Sequence, residues 1–557
     1  MKFTKLSLKN FRNFNDSEIN LDNKNIFFGL NDVGKTNALY ALRFLFDNEQ
    51  RKKGIVETDF YKKNINCPIE IIVTIDISDD SDDDKKIRAI MKGNLLSETE
   101  LIYIKFTAIF NQENGMGDIS MFWGYDIENL AEMASKGYSF EIDKIFSVTY
   151  IDSYVDLFSL FKKNLKTFII NDEEIDKEKI DEIKKNINDL NNNISKLSGI
   201  KKFEEIIMPK YEKYKKDDLK ISIKSEIAIK GFYSDLVPYL HKIDDVNDYP
   251  TAGDGRKKIL TYSLYDLINE NKKESKIVLY LIEEPENHLH KTLQISLSRV
   301  LFSTESYDYV FLTTHSPYII YEIDNTNLIR IYKNREMLTP SVLYQVPDSF
   351  KKHKKILNKS LSEALFSSKV LLVEGPSEQL LFERVFQAIN VNYEEEGIYI
   401  LPVNGIGFEK YKTILDELKI FNAIKTDNDL RKDEQQYILL GFRRCNKLCG
   451  TKVLSEENIK YYKNEVAVKR KMFKDNVKLI NSIRKDYKIF LSEVDLENDL
   501  NKILHKKLVE YLNKTNPVKY LQEKKQIRMF ELINLLTDED CIKIYNGKNF
   551  EILKLFI

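Results

Sequence analysis

A glycine-bracketed loop, FFGLNDVGKTN at Phe27 to Asn37, constrains this chain more than any other stretch. The apolar NIFF ahead of it reads as a strand, and TNALYALRFLF behind it has helical periodicity. Gly29 to Thr36 fits the spacing GxxxxGK followed by Ser or Thr, placed between strand and helix as phosphate binding requires. The candidate nucleotide contacts are Asn31, Asp32, Gly34, Lys35 and Thr36. Glycines let backbone N–H groups curl around phosphate, the helix N-terminus adds positive potential, Lys35 neutralises terminal phosphates, and the Thr36 hydroxyl takes Mg²⁺. A chance glycine turn is the plain alternative.

Three later features weigh against chance. In VLYLIEEPENHLH a buried strand ends in Glu283 and Glu284, one acid suited to a Mg²⁺ shell and the next to orienting an attacking water. In FLTTHSP a second strand delivers His315, an imidazole able to sense a γ-phosphate. In TAGDGRKK, Gly253 and Gly255 precede a helix, an anion-binding turn that could cap the nucleotide of a neighbouring subunit. Taken singly, each is equally a surface acid pair, a satisfied core histidine or a helix cap.

A length of 557 residues exceeds one compact core, so several domains are expected. The 86 basic and 87 acidic residues nearly cancel, so any nucleic-acid partner must be met by local patches. Four cysteines are too few for a disulfide framework and fit a reducing compartment; Cys445 and Cys449 have no second ligand pair and read as buried thiols. The N-terminus is wrong for a signal peptide and no apolar run approaches membrane-spanning length, so a cytoplasmic protein with no membrane partner is expected. The acidic SDDSDDDKK at Ser78 to Lys86 reads as a solvated loop.

Between Ile180 and Leu197 apolar residues recur at steps of three and four in a polar background, a heptad seam. It suits either an amphipathic helix on its own domain or a self-association arm. Patterning breaks near Pro340 and Pro347, after which KVLLVEG, GIYILPVNG, NAIKTDND and KIFLSEVD read as strands between helical segments, a second α/β domain. Its first strand ends at Glu374, with Glu378 on the next helical turn, and a later strand ends in Asp427-Asn428-Asp429. Acids at adjacent parallel strand ends converge on one rim and repel unless divalent cations lie between them; oxygen donors select Mg²⁺ or Mn²⁺. Such cations serve phosphodiester cleavage.

Lys35, Glu284 and His315, with LKNFRNF as the opening strand, resemble the ABC-type ATPase heads of the SMC and RecF kind. Glu374-Gly375 with Asp427-x-Asp429 resembles the TOPRIM domain. Joined in this order, they resemble the OLD (overcoming lysogenisation defect) family of endonucleases, and among these the nuclease subunits of Gabija anti-phage systems, through YLIEEPE, TTHSP, LLVEGPSE, IKTDNDL, LSEVDLENDL and NPVKYLQEKK. The resemblance implies an α/β fold: an ABC/SMC-RecF-like ATPase domain at 1–155 and 216–346, a helical dimerisation insertion at 156–215 and a TOPRIM nuclease domain at 347–557. It implies a metal-dependent enzyme that nicks or cleaves double-stranded phage DNA, a homotetramer, and a UvrD-like helicase partner. It adds Asp495 and Glu497 as metal ligands and Lys525 as a cation on the cleaved phosphate, so that Glu374, Asp427, Asp429, Asp495 and Lys525 form the catalytic set. Glu283 stands where such heads have Asp, and TAGDGR only loosely matches their signature, so slow ATP hydrolysis is expected.

Between Lys463 and Lys488 nine basic residues meet three acidic ones, either a solvated helix face or a phosphate contact, with Lys469, Arg470 and Lys471 at its centre. Phosphodiester cleavage is downhill and needs no ATP, so the nucleotide reads as a regulatory switch. An ATP-driven DNA-binding clamp or repair scaffold with a non-catalytic second domain is the alternative. A topoisomerase or primase is a weaker one, since no positioned tyrosine motif or primase companion is evident.

Overall fold

The computed structural model describes residues 1–29, 33–91, 98–154, 157, 160–161, 193–216, 218–225, 236–242, 253–273, 275–303, 307–332, 339–390, 392–404, 407–461 and 463–557. The chain divides into two compact units, Met1–Asn358 and Lys359–Ile557. The expected seam from Ile180 lies outside the described residues up to 192, and so do Asn31 and Asp32.

In the first unit, strict alternation of buried and half-buried residues along Ile69–Asp76 marks a strand with one face on a core. It sits in a six-stranded antiparallel sheet with the order Phe14–Asn20, Lys2–Phe11, Ile69–Asp76, Leu101–Asn111, Met116–Gly124, Ala131–Glu132. Ile277–Glu283 and Tyr309–Thr313 lack alternation because both of their faces are covered. They belong to a second six-stranded sheet, with the order Phe146–Ile151, Ile277–Glu283, Tyr309–Thr313, Lys24–Phe28, Thr326–Arg330, Ser341–Tyr344, parallel except for the last pair.

The helix Lys35–Phe46 lies in the core shared by the two sheets, and none of its residues is exposed. Phe3 of the antiparallel sheet packs edge-on against Phe311 of the parallel one at 5.1 Å and against Phe46 at 6.1 Å, while Phe44 meets Phe106 at 5.5 Å. Each such fully buried side chain contributes about 1.5–3 kcal/mol, so the helix is anchored by packing rather than by propensity.

The acidic stretch is a loop only as far as Ser81. Asp82–Ile90 is a helix whose Ser81 Oγ accepts from the Asp84 amide at 3.3 Å while Asp84 Oδ2 accepts from the Ser81 amide at 2.8 Å. This capping box, with acids at the positive helix end, turns a run of like charge into a helix start.

The second unit is built on a four-stranded parallel sheet with the order Ile398–Pro402, Lys369–Val373, Phe421–Thr426, Ile489–Leu491. Phe382 and Phe386 of the helix Pro376–Ile389, and Leu496 and Leu500 of the helix Leu496–Leu512, bury against it. After the third sequential strand the chain makes a small antiparallel sheet, Leu430–Asp433, Gln436–Leu439 and Ile459–Lys460, which also carries the helix Leu440–Cys449. Cys445 and Cys449 on that helix are buried free thiols.

Candidate functional site

In the first unit the strand Lys24–Phe28 runs into the glycine loop, and Gly34 with φ 105° opens the helix Lys35–Phe46. A Cβ at Gly34 would fall 1.9 Å from Asn13 Nδ2, and one at Gly29, φ 149°, would fall 2.3 Å from the Ile331 carbonyl oxygen. Only glycine fits either place. Asn13 explains the tightness: its Nδ2 donates to the Val33 carbonyl at 2.7 Å and its Oδ1 accepts from Asn37 at 2.8 Å, so a turn of the antiparallel sheet clamps the loop. Lys35 Nζ donates to the Gly29 carbonyl at 3.2 Å across the loop.

Thr36 Oγ1 donates to Glu283 Oε1 at 2.7 Å, and the Tyr150 hydroxyl donates to Glu283 Oε2. Glu283 thus reaches the threonine that would share a Mg²⁺ with it, an oxygen pair suited to a hard cation. Glu284 has φ 41°, and its Oε1 lies 3.1 Å from His315 Nε2. Burial, and then the Lys35 charge, hold His315 below the ordinary imidazole value despite Glu284, and so favour the neutral ring. The structure therefore brings Gly34, Lys35, Thr36, Glu283, Glu284 and His315 around one loop.

Sequence reasoning passed over Lys258. Four residues into the helix Asp254–Lys273, its buried ammonium donates to the carbonyls of Ser153, Glu284 and Asn287 at 3.3, 3.2 and 3.1 Å. Burial pushes its pKa down to about 8. The helix approaches closely because Gly255, where a Cβ would stand 3.1 Å from the His288 carbonyl, abuts the turn after Glu284. Gly255 and Lys258 thus fix the backbone that carries Glu284.

In the second unit, three neighbouring parallel strands end at one edge and bring their following acids together. Glu374 Oε1 accepts from Thr426 Oγ1 at 2.6 Å and from the Asp427 amide at 2.8 Å. Asp427 is buried and its Oδ1 accepts from Ser492 at 3.2 Å. Asp495 caps the helix Leu496–Leu512 through the Asn498 amide at 2.8 Å and accepts from Gln522 at 2.9 Å. Glu497 is 1% exposed, and its Oε2 has no hydrogen-bond partner among the described residues.

Such crowding has an electrostatic signature. Burial, and then Glu374, raise Glu378 to about 7; burial, and then Glu374, Glu378, Asp429 and Asp495, raise Asp427 well above the carboxylate range; burial also raises Glu497. Lys525 opens the helix Lys525–Ile533; burial would lower its pKa, but Glu497, Asp427, Glu378 and Asp495 hold it above the ordinary value. One further cation was not anticipated. Arg444 donates through one nitrogen to Glu374 and through the other to Asp429 Oδ2 at 2.8 Å. Among the described residues no group of three His, Cys, Asp or Glu side chains is arranged to hold a metal ion as they stand. Two of the acids are drawn onto Arg444, while the all-oxygen donor set and the orphaned Glu497 oxygen fit a hard divalent cation.

The basic segment Lys463–Lys488 forms two helices, Glu465–Asp475 and Val477–Tyr487, and its central basic residues lie on the first. Arg470, Lys471 and Lys474 are exposed. Lys469 is not: it is 8% exposed, pairs with Glu465 at 3.3 Å, and its carbonyl accepts from Asn428 Nδ2 at 3.2 Å. The expected central contact points inward, and the helix is tied to the acid-bearing loop through its backbone.

Comparison with known proteins agrees with this division. Residues 365–429 match the family described as "Overcoming lysogenization defect protein-like, TOPRIM domain", and residues 1–176 and 156–320 match the AAA ATPase domain. The chain is 41% identical over 571 aligned positions to Endonuclease GajA of Bacillus cereus strain VD045, covering 100% of this chain and 99% of that protein. It is 23% identical to the Old nuclease of Escherichia phage P2, over 77% of each chain. The solved Smc head domain bound to the C-terminal domain of ScpA, derived from Pyrococcus furiosus, aligns at TM-score 0.40 with 14% identity over 64% of this chain and 99% of that one, too distant to add weight. Full-length identity to GajA, with an ATPase head preceding an OLD-like TOPRIM domain, means that the chain belongs to the OLD family of endonucleases, in its GajA branch.

Proposed function

We propose that this chain is a divalent-metal-dependent endonuclease that nicks or cleaves double-stranded phage DNA for anti-phage defence, and that nucleotide bound at its ATPase head regulates the cut. One observation carries the reading: six carboxylates, Glu374, Glu378, Asp427, Asp429, Asp495 and Glu497, gather at one sheet edge with Arg444 and Lys525 as cations and a buried Glu497 oxygen left unpaired. The acids would hold Mg²⁺ or Mn²⁺, which when bound stabilises the attacking and leaving oxygens of phosphodiester hydrolysis. Lys525 offers an ammonium to the cleaved phosphate. Arg470, Lys471 and Lys474 lie on a helix tied to the acid-bearing loop and suit the DNA backbone.

In the first unit Lys35, Thr36 and Glu283 would hold Mg²⁺–ATP, with Glu284 and His315 at the γ-phosphate; hydrolysis is slow because Glu283 replaces the usual shorter acid. Self-association through residues 156–215 into a tetramer and a UvrD-like helicase partner belong to the same proposal, as does a cytoplasmic setting. Among the described residues no helix is long and apolar enough to cross a membrane.

Supercoiled plasmid incubated with purified protein and Mg²⁺ or Mn²⁺ tests the reading. Wild type should nick it, and Asp429→Ala should lose more than about 100-fold, since even outer-shell changes at metal sites cost 10–100-fold. Equal cutting by both proteins would favour the scaffold alternative.

A further inference from the structure

The helix Leu440–Cys449 starts hard against the loop that carries the acids. A Cβ at Gly441 would stand 2.9 Å from both Asn428 Cα and the Asp427 carbonyl oxygen, and the Gly441 amide donates to the Asp429 carbonyl at 3.0 Å. One turn later, Arg444 is carried back over that loop, while its neighbour Arg443 faces Glu456 at 3.8 Å. The Arg444 fork spans two strand ends. NH1 donates to Glu374 and to the Thr426 hydroxyl, and NH2 donates to Asp429 Oδ2 at 2.8 Å. Its side chain is only 28% exposed.

A planar guanidinium with donors fixed in a fork is well shaped to bridge two carboxylates, and it carries the positive charge that such a pair requires. A divalent ion shared by Glu374 and Asp429 would need the same oxygens. We propose that Arg444 is an internal competitor of the metal: its guanidinium and a divalent ion bridging Glu374 and Asp429 exclude each other, so the centre loads only when Arg444 is displaced. This rests on the reading that these acids hold a divalent cation. It accounts for acids that gather at one edge without standing at ligating spacing. The arginine keeps them ordered, and it raises the free-metal concentration needed for loading by the reciprocal of the fraction of time it leaves them free.

The experiment is direct Mn²⁺ binding to the full chain, without nucleotide or DNA, followed by the electron paramagnetic resonance signal of free Mn²⁺ and by calorimetry. Arg444→Gln removes the charge and keeps a polar side chain. Its Mn²⁺ Kd should fall about tenfold, the gain expected when a competing state populated about nine times in ten is removed. Arg444→Lys, a compact charge without a fork, should fall between wild type and Gln. Asp429→Ala in the Arg444→Gln background should lose the tight site, which assigns the gain to these acids. Matched thermal melting checks that each variant is folded, and the Lys form serves if the Gln form is not.

Unchanged or weaker Mn²⁺ binding by folded Arg444 variants would overturn the competition and leave the arginine as a brace for the acids. Absence of Mn²⁺ binding by wild type and variants alike would overturn the metal reading itself. The two failures are therefore distinguishable.

Discussion

Gly34 leaves no room for any side chain, being in the left-handed region with Asn13 where a Cβ would go. Gly34→Ala should therefore abolish binding of a fluorescent ATP analogue at concentrations that saturate wild type. Asn13→Ala, which frees the Val33 carbonyl, should weaken binding by about 1–2 kcal/mol, roughly 5- to 30-fold. Lys258 gives a pH test. Its folded pKa of about 8 lies below the unfolded lysine value of 10.5, so between these values the unfolded chain holds more protons and this residue's contribution to stability rises with pH. The melting-temperature advantage of wild type over Lys258→Met should thus be smallest at pH 7 to 8 and widen towards pH 10. A constant gap would mean that the ammonium is not desolvated. Gly34, Lys35, Glu284 and His315 were legible because motif spacing names them. Lys258, Asn13 and Arg444 were not, because each acts on a segment distant in sequence through a side chain that no local pattern marks.

Among the elements, the helix Glu465–Asp475 shows how a charge run divides its labour. Lys469 turns inward, so the exposed basic set proposed to face DNA is Arg470, Lys471 and Lys474. Changing these three to Gln should flatten the slope of log K for DNA against log salt by about 2.7, at about 0.9 per lost phosphate contact. An unchanged slope would remove the helix from the interface. Gly441→Ala tests the neighbouring element: at 2.9 Å from backbone atoms its methyl must push the helix Leu440–Cys449 off the acid loop, and plasmid nicking should fall with little change in DNA affinity. The apolar strand Lys369–Val373 was legible from composition, since both of its faces are covered. The small antiparallel sheet was not: its strands of four, four and two residues are too short for a period to register. The Ser81 capping box was legible in principle, but a run of aspartates masked it.

For the molecule as a whole, the regulatory proposal makes nucleotide and DNA cleavage linked quantities. A coupling of about 1–3 kcal/mol corresponds to a 5- to 150-fold change in nicking between zero and saturating ATP, with restraint at high ATP the expected direction. Lys35→Ala should cut at one rate across the ATP series. A second unit was legible in outline where the patterning breaks near Pro347, although the units part between Asn358 and Lys359. The helix Lys35–Phe46 adds a mechanical consequence. A rod held between the two sheets by Phe3, Phe106 and their neighbours resists sideways displacement more than movement along its long axis. Any push delivered by phosphate at Lys35 and Thr36 would emerge, piston-like, at Asp47 on the opposite end rather than sideways through the sheets.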